Sequence, residues 1–229
     1  MLPERGAARP WAGITLLSVT MLALTALLLW SAGHRHLPQF QGKAMQIRLV
    51  FVPLAAAVVP AAWWLAGHVR QRRLAFPFTS AVLVVLALLL DLVGNATRLY
   101  DTVEYFDDAV HAVNPVLLVS ALAIVLRDPA LPRWATWVMA FGLGCAGNIL
   151  WEVAEYGVMT RFGADGLALS LPDTLSDQAW GVLGAALGAT IPGVLSSLAP
   201  RQESARELHR VLARAGAPAE PSMASTALR

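Results

Sequence analysis

Apolar residues run almost unbroken through six stretches of this 229-residue chain, at about 11–32, 47–67, 76–98, 110–126, 134–158 and 174–198. Each is near the roughly 20 residues that a helix needs to cross a hydrocarbon core about 30 Å thick. The runs are continuous rather than alternating or amphipathic, which predicts membrane-spanning helices instead of a soluble fold. The first run follows Arg5 and Arg9, as a signal peptide would. Its apolar stretch from Trp11 to Trp30 is too long for an ordinary signal core, and Trp30 is a poor neighbour for a cleavage site, so it reads as a span. The fourth is the shortest, and its start is expected in the interface or under its neighbours. The expected architecture is all-α: a polytopic membrane helix bundle of about six transmembrane helices over residues 1–200.

Residues 201–229 read as a cytoplasmic extension. Within 203–215, Leu208, Val211, Leu212 and Ala215 share one helical face, while Arg206, Arg210 and Arg214 share another. That pattern predicts an amphipathic helix resting on anionic headgroups. The tail "GAPAEPSMASTALR" is small, polar and Pro-containing, and is expected to be disordered.

Composition supports the membrane reading and charge gives it a direction. The chain is 57% hydrophobic and 14% charged, against about 25% charged in soluble domains. Twelve of the seventeen basic residues fall on the side of the two termini, against five on the other: Arg35, Lys43, Arg48, Arg98 and Arg161. The positive-inside rule then puts both termini in the cytoplasm. Trp63, Trp64, Trp134 and Trp137 fall near the inner interface, as an aromatic belt would. A net charge of +2 gives no reason to expect nucleic acid. The single Cys145 excludes an intrachain disulfide or a cysteine metal site.

The acids are segregated in the opposite sense. Ten of the fifteen, among them Asp91, Asp101, Glu104, Asp107, Asp108, Glu152, Glu155, Asp173 and Asp177, fall in the outer half or the outer loops. Acids contribute little to topology, so this bias needs another cause. Helical spacing shows how they converge. Asp91, Asn95 and Arg98 follow i, i+4, i+7, as do Asn148, Glu152 and Glu155. Asp107 and Asp108 stand four and three residues before His111, with Asn114 one turn beyond. Val103, Phe106, Val110, Val113 and Leu117 are expected to form the apolar stripe of that helix. Asp173 and Asp177 are i, i+4, and Gly181, Gly184 and Gly188 continue the face, where small residues permit close packing. Asp91 lies roughly 22 Å into its span at 1.5 Å per residue. Its carboxylate would cost about 2.5–3.5 kcal/mol on insertion scales, so it is expected to be neutral or paired with Arg98 through Asn95 or water.

Plainer readings compete at several positions. Asp101 and Glu104 read as a wet outer loop. Asp173 serves equally as a helix cap after Pro172. "GLGCAG" at 142–147 fits a dinucleotide motif but lacks a preceding strand, so it reads as helix packing and no nucleotide cofactor is expected. "NAT" at 95–97 lies at a membrane helix end and is discounted as a glycosylation acceptor. His34 and His36 read as a polar loop rather than as ligands.

Three segments, "LYDTVEYFDDAVHAVN", "WEVAEY" at 151–156 and "DTLSDQAWGVLGAALGA" at 173–189, resemble the YjdF-like family of small bacterial inner-membrane proteins. The resemblance covers about residues 80–195. Its motifs match Asp107 with His111, Glu152 with Glu155 and Tyr156, and Asp173 and Asp177 with the three glycines. A weaker similarity is to VanZ-like proteins, which are linked to glycopeptide resistance. The resemblance implies the bacterial inner membrane, the fold and the choice of residues, and supplies no reaction.

The leading expectation is an outer-face site built from Asp107, His111, Glu152, Glu155, Asp173 and Asp177, with Asp91, Asn95, Arg98, Asp108, Asn114 and Asn148 in support. Six such groups require protons or a cation among them. Oxygen ligands with one imidazole suit Mg²⁺, Mn²⁺ or Zn²⁺. The substrate would be a lipid headgroup or a lipid-linked envelope precursor, with Asp107, His111, Glu152 and Glu155 as candidate catalytic groups. The alternatives are a proton-coupled carrier, with Asp91 and the Asp/His pair as relay, and a non-enzymatic accessory protein with an acidic docking face.

Overall fold

The computed structural model describes residues 10–69, 71, 74–162 and 170–198. The 203–215 segment, the tail, Arg70, Arg72, Arg73 and Asp165 lie outside the described residues. The described residues are helical, with no strand. Six helices are long and apolar enough to cross a membrane, the number that the hydropathy pattern predicts. They are α1 (Pro10–Gly33), α2 (Met45–Val69), α3 (Phe78–Ala96), α5 (Phe106–Val125), α6 (Arg133–Phe162) and α7 (Leu171–Leu198). A single helical turn, α4 (Leu99–Thr102), stands between α3 and α5, and a 3₁₀ turn covers Pro38–Phe40.

Helix α5 begins at Phe106, a turn earlier than hydropathy alone suggests. Asp107 and Asp108 occupy its first turn, where carboxylates face the positive end of the helix dipole. Polar residues that look like loop in a hydropathy plot therefore belong to the helix. Val103, expected on the apolar stripe of α5, lies outside it in extended backbone and is 47% exposed. The chain reverses just before α4, where Arg98 takes a left-handed conformation at φ 65°.

The core is centred on α3, which packs against α1, α2 and α5. Half of its apolar window is buried, against 11% for α6. One cluster joins Leu24, Leu28, Phe40, Met45, Val52, Val85 and Leu92. A second, made of Val119, Ala123, Ala140, Ala185 and Ala189, joins α5, α6 and α7. Small side chains dominate there because the backbones approach closely. A Cβ on Gly184 would meet the Ala112 carbonyl oxygen, and one on Gly188 would lie 2.8 Å from the Val116 carbonyl oxygen. Ser120 Oγ donates to the Gly188 carbonyl at 3.1 Å across the same seam. In "GLGCAG" only Gly144 is confined, by Val119 and Ala185, while Gly142 and Gly147 face open space. Leucines such as Leu22, Leu54 and Leu150 lie on the outside, each more than 60% exposed, which suits a surface solvated by lipid chains.

The described residues up to Gly193 form one packed unit, and Val194–Leu198 belong to a second. Those last residues continue α7, with Ser197 Oγ donating to the Val194 carbonyl at 2.7 Å.

Candidate functional site

The first unit brings the starts of α5 and α7 and the C-terminal part of α6 around one imidazole. His111 is 9% exposed. Its Nε2 faces Asp107 Oδ1 at 3.6 Å and Asp177 Oδ1 at 3.8 Å. Its Nδ1 faces Glu152 Oε1 at 3.5 Å. Glu155 groups with them: one ligand atom each from His111, Glu152 and Glu155 lie within 4.8 Å of one another. The same holds for His111, Asp107 and Asp177. These groups could hold a cation. Five of the six residues expected at the site converge in this way.

Asp173, the sixth, is exposed and in neither group. It stands in the first turn of α7, where its backbone N–H donates to Ser170 Oγ at 3.2 Å. Ser170 is therefore the capping residue, and Asp173 occupies the third position after it. Asp108 turns to α7 and accepts a 2.6 Å hydrogen bond from Ser176 Oγ. Asn148 packs its amide against Gly181, which must lack a Cβ for that contact. Its backbone carbonyl accepts a 3.4 Å hydrogen bond from Gln178 Nε2.

Satisfaction of buried polar atoms singles this cluster out. Among the described residues, four buried side-chain polar atoms have no partner: Ser80 Oγ, Asn114 Oδ1, Asn148 Nδ2 and Glu152 Oε1. Three belong here, since Asn114 follows His111 by one turn and Asn148 precedes Glu152 by one turn. Pro115 adds a further gap, because it cannot donate a backbone N–H to the His111 carbonyl.

A second polar cluster lies at the neighbouring helix ends. Asp91 does not pair with Arg98, as expected from spacing alone. Its partner is Arg48, reaching across from α2. Asn95 Nδ2 donates to the Asp91 backbone oxygen at 2.8 Å and to its Oδ1 at 3.3 Å. Tyr100 Oη donates to Asp91 Oδ1 at 3.2 Å. Burial, with the negative charges of Asp91 and Asp107, drives the Tyr100 phenol far above its ordinary pKa, so it stays a donor. The left-handed turn at Arg98 takes that side chain to the surface, 57% exposed and 3.9 Å from Asp101. Asp101 is held more tightly by Lys43 Nζ, at 2.8 Å.

Arg48, Tyr100, Lys43 and Ser176 were not singled out by helical spacing, because each meets its partner across helices. A signal for Arg48 did exist. A lone cation inside one apolar run and a lone acid inside another are natural partners in a medium that penalises both.

No curated protein and no solved structure matches the chain. The model of a family described as "Predicted membrane protein (DUF2238)" matches residues 16–196. This span contains all three sequence motifs and both polar clusters. The chain is thus a multi-pass membrane protein belonging to that family, which includes the YjdF-like proteins.

Proposed function

We propose that the His111 cluster binds a divalent cation and uses it to hold or act on a lipid headgroup or lipid-linked envelope precursor. In this reading both termini are cytoplasmic, the membrane is the bacterial inner membrane, and the site opens to the outer leaflet. The charge asymmetry of the loops supports that orientation, and the family resemblance supports the membrane.

One observation carries the reading: carboxylates from three helices face both nitrogens of a buried imidazole without hydrogen-bonding to it. The 3.5–3.8 Å separations exceed the usual 2.7–3.2 Å of an N–H···O bond. Two donors about 2.1 Å from a shared ion, at tetrahedral to octahedral angles, stand roughly 3.0–3.5 Å apart. Four carboxylates around one imidazole also leave an excess of negative charge that protons or a cation must offset. Carboxylate oxygens with one imidazole suit Mn²⁺ or Zn²⁺, and Mg²⁺ next. A cation held there would attract and polarise a phosphoryl oxygen, the common feature of phospholipid and lipid-linked headgroups.

Elemental analysis of protein purified in detergent, followed by binding to phospholipid nanodiscs with and without Mn²⁺, tests this. The reading expects bound divalent metal and Mn²⁺-dependent headgroup binding, both absent from Glu152→Gln combined with His111→Ala. A wild-type protein that takes up no divalent ion ends the metal reading. Metal uptake with headgroup binding indifferent to it ends the lipid part.

A further inference from the structure

We infer that the cation sits on the Nδ1 side of His111, ligated by Glu152, Glu155 and Nδ1. Asp107 and Asp177 act instead as positioning residues that accept a hydrogen bond from Nε2–H. This deepens the reading above and depends on it.

A neutral imidazole has one N–H and one lone pair, so its two nitrogens cannot play the same role. A metal-binding histidine generally donates its other N–H to a carboxylate, which fixes the tautomer and the ring orientation. Here both sides carry carboxylates, and their surroundings differ. On the Nδ1 side the Glu152 side chain is only 10% exposed, and its Oε1 is buried without a partner, aimed at the imidazole from 3.5 Å. Asn148 Nδ2, on the same face of α6 one turn away, also lacks a partner. An unpaired carboxylate oxygen in a buried site is costly unless a cation meets it. On the Nε2 side Asp107 is 49% exposed, so water reaches its carboxylate. Asp107 and Asp177 come from different helices, at 3.6 and 3.8 Å. A small side-chain rotation brings either to hydrogen-bond length with Nε2–H. Asp177 is itself only 7% exposed, but among the described residues the facing carboxylate oxygen that is buried without a partner is Glu152 Oε1, so the Nδ1 side needs the cation and the Nε2 side only a proton. Two oxygens and one nitrogen form a donor set for Mn²⁺ or Zn²⁺.

The test uses the full-length protein in detergent, loaded with Mn²⁺ and carrying histidine labelled with ¹⁵N at Nδ1 only. Pulsed electron paramagnetic resonance of the unmutated protein should show ¹⁵N directly coordinated. Asp177→Asn should still bind one Mn²⁺, about 10–100-fold more weakly, as loss of an orienting partner does. Glu155→Gln should lose binding more severely. Direct coordination through unlabelled Nε2 overturns the assignment while leaving the metal reading intact. So does abolished binding in Asp177→Asn with retained binding in Glu155→Gln. A wild-type protein that binds no Mn²⁺, Zn²⁺ or Mg²⁺ overturns both.

Discussion

Two polar clusters lie at helix ends of one bundle, and they differ in how well they are satisfied. Around Asp91, an opposite charge from Arg48, an amide from Asn95 and a phenol from Tyr100 close the accounts of one carboxylate. Around His111, three carboxylates face one imidazole at distances too long for hydrogen bonds, Glu155 lies beside them, and a buried Glu152 oxygen has no partner. Both contain an acid within a span, and depth alone would single out Asp91, roughly 22 Å into its span. The comparison teaches that depth does not identify a site. A neutralised, hydrogen-bonded acid bolts helices together, whereas an unneutralised cluster needs something from outside.

The sharpest way to break the comparison is to break the first cluster. Asp91→Ala leaves Arg48 partly buried and uncompensated, and should cost about 3 kcal/mol or more of stability. Replacing both, as Arg48→Met with Asp91→Leu, should recover most of that loss, because an ion pair exchanged for apolar packing is often neutral. Thermal unfolding in detergent reads both variants. A double variant as unstable as the single one would show that Arg48 does more than neutralise Asp91.

The second cluster should respond in the opposite way. Without metal, Glu152→Gln should leave stability unchanged or raise it, because it removes an unpaired buried charge. With Mn²⁺ at a hundred times the dissociation constant, the wild type should gain about 2.7 kcal/mol, and the variant should gain none. That gain should shrink as pH falls, because protons and cation compete for the same lone pairs. Equal Mn²⁺ stabilisation of both proteins would place the ion elsewhere.

Packing beneath the His111 cluster gives a smaller effect. Gly184→Ala puts a methyl on the Ala112 carbonyl and should cost about 1–3 kcal/mol. Gly142→Ala enters open space and should stay within about 0.5 kcal/mol. Equal melting temperatures for the two would contradict the close α5–α7 seam. At the low end of the Gly184 range, Ser176→Ala removes the hydroxyl donor to Asp108 and should cost about 1 kcal/mol, read by the same melts.

Much of this was legible in the chain because lipid imposes a simple rule on sequence. Apolar length gives the spans, and i, i+4, i+7 spacing put Glu152 and Glu155 on one face and Asp107 beside His111. The i, i+4 step from Asp173 also pointed to Asp177. What spacing could not supply was the partner across a gap. Asp91 and Arg98 share a face on paper, yet the left-handed residue at 98 turns the chain and Arg48 arrives from another helix. The sequence leaves Asp173 evenly divided between a helix cap and a site residue; it is exposed in the first turn, while Asp177 is 5% exposed against His111. Helical spacing carried α5 back past Asp107 and Asp108, which the helix dipole welcomes, but it ran the stripe on to Val103 and missed the separate turn α4.

Titration of detergent-purified wild-type protein with Mn²⁺, with bound and free ion separated by electron paramagnetic resonance, tests the central claim most directly. One tightly bound ion per chain, lost in Glu152→Gln and retained in Arg48→Met with Asp91→Leu, is the result predicted. Absence of bound Mn²⁺ in the wild type, with Zn²⁺ and Mg²⁺ equally unbound in competition, would contradict it.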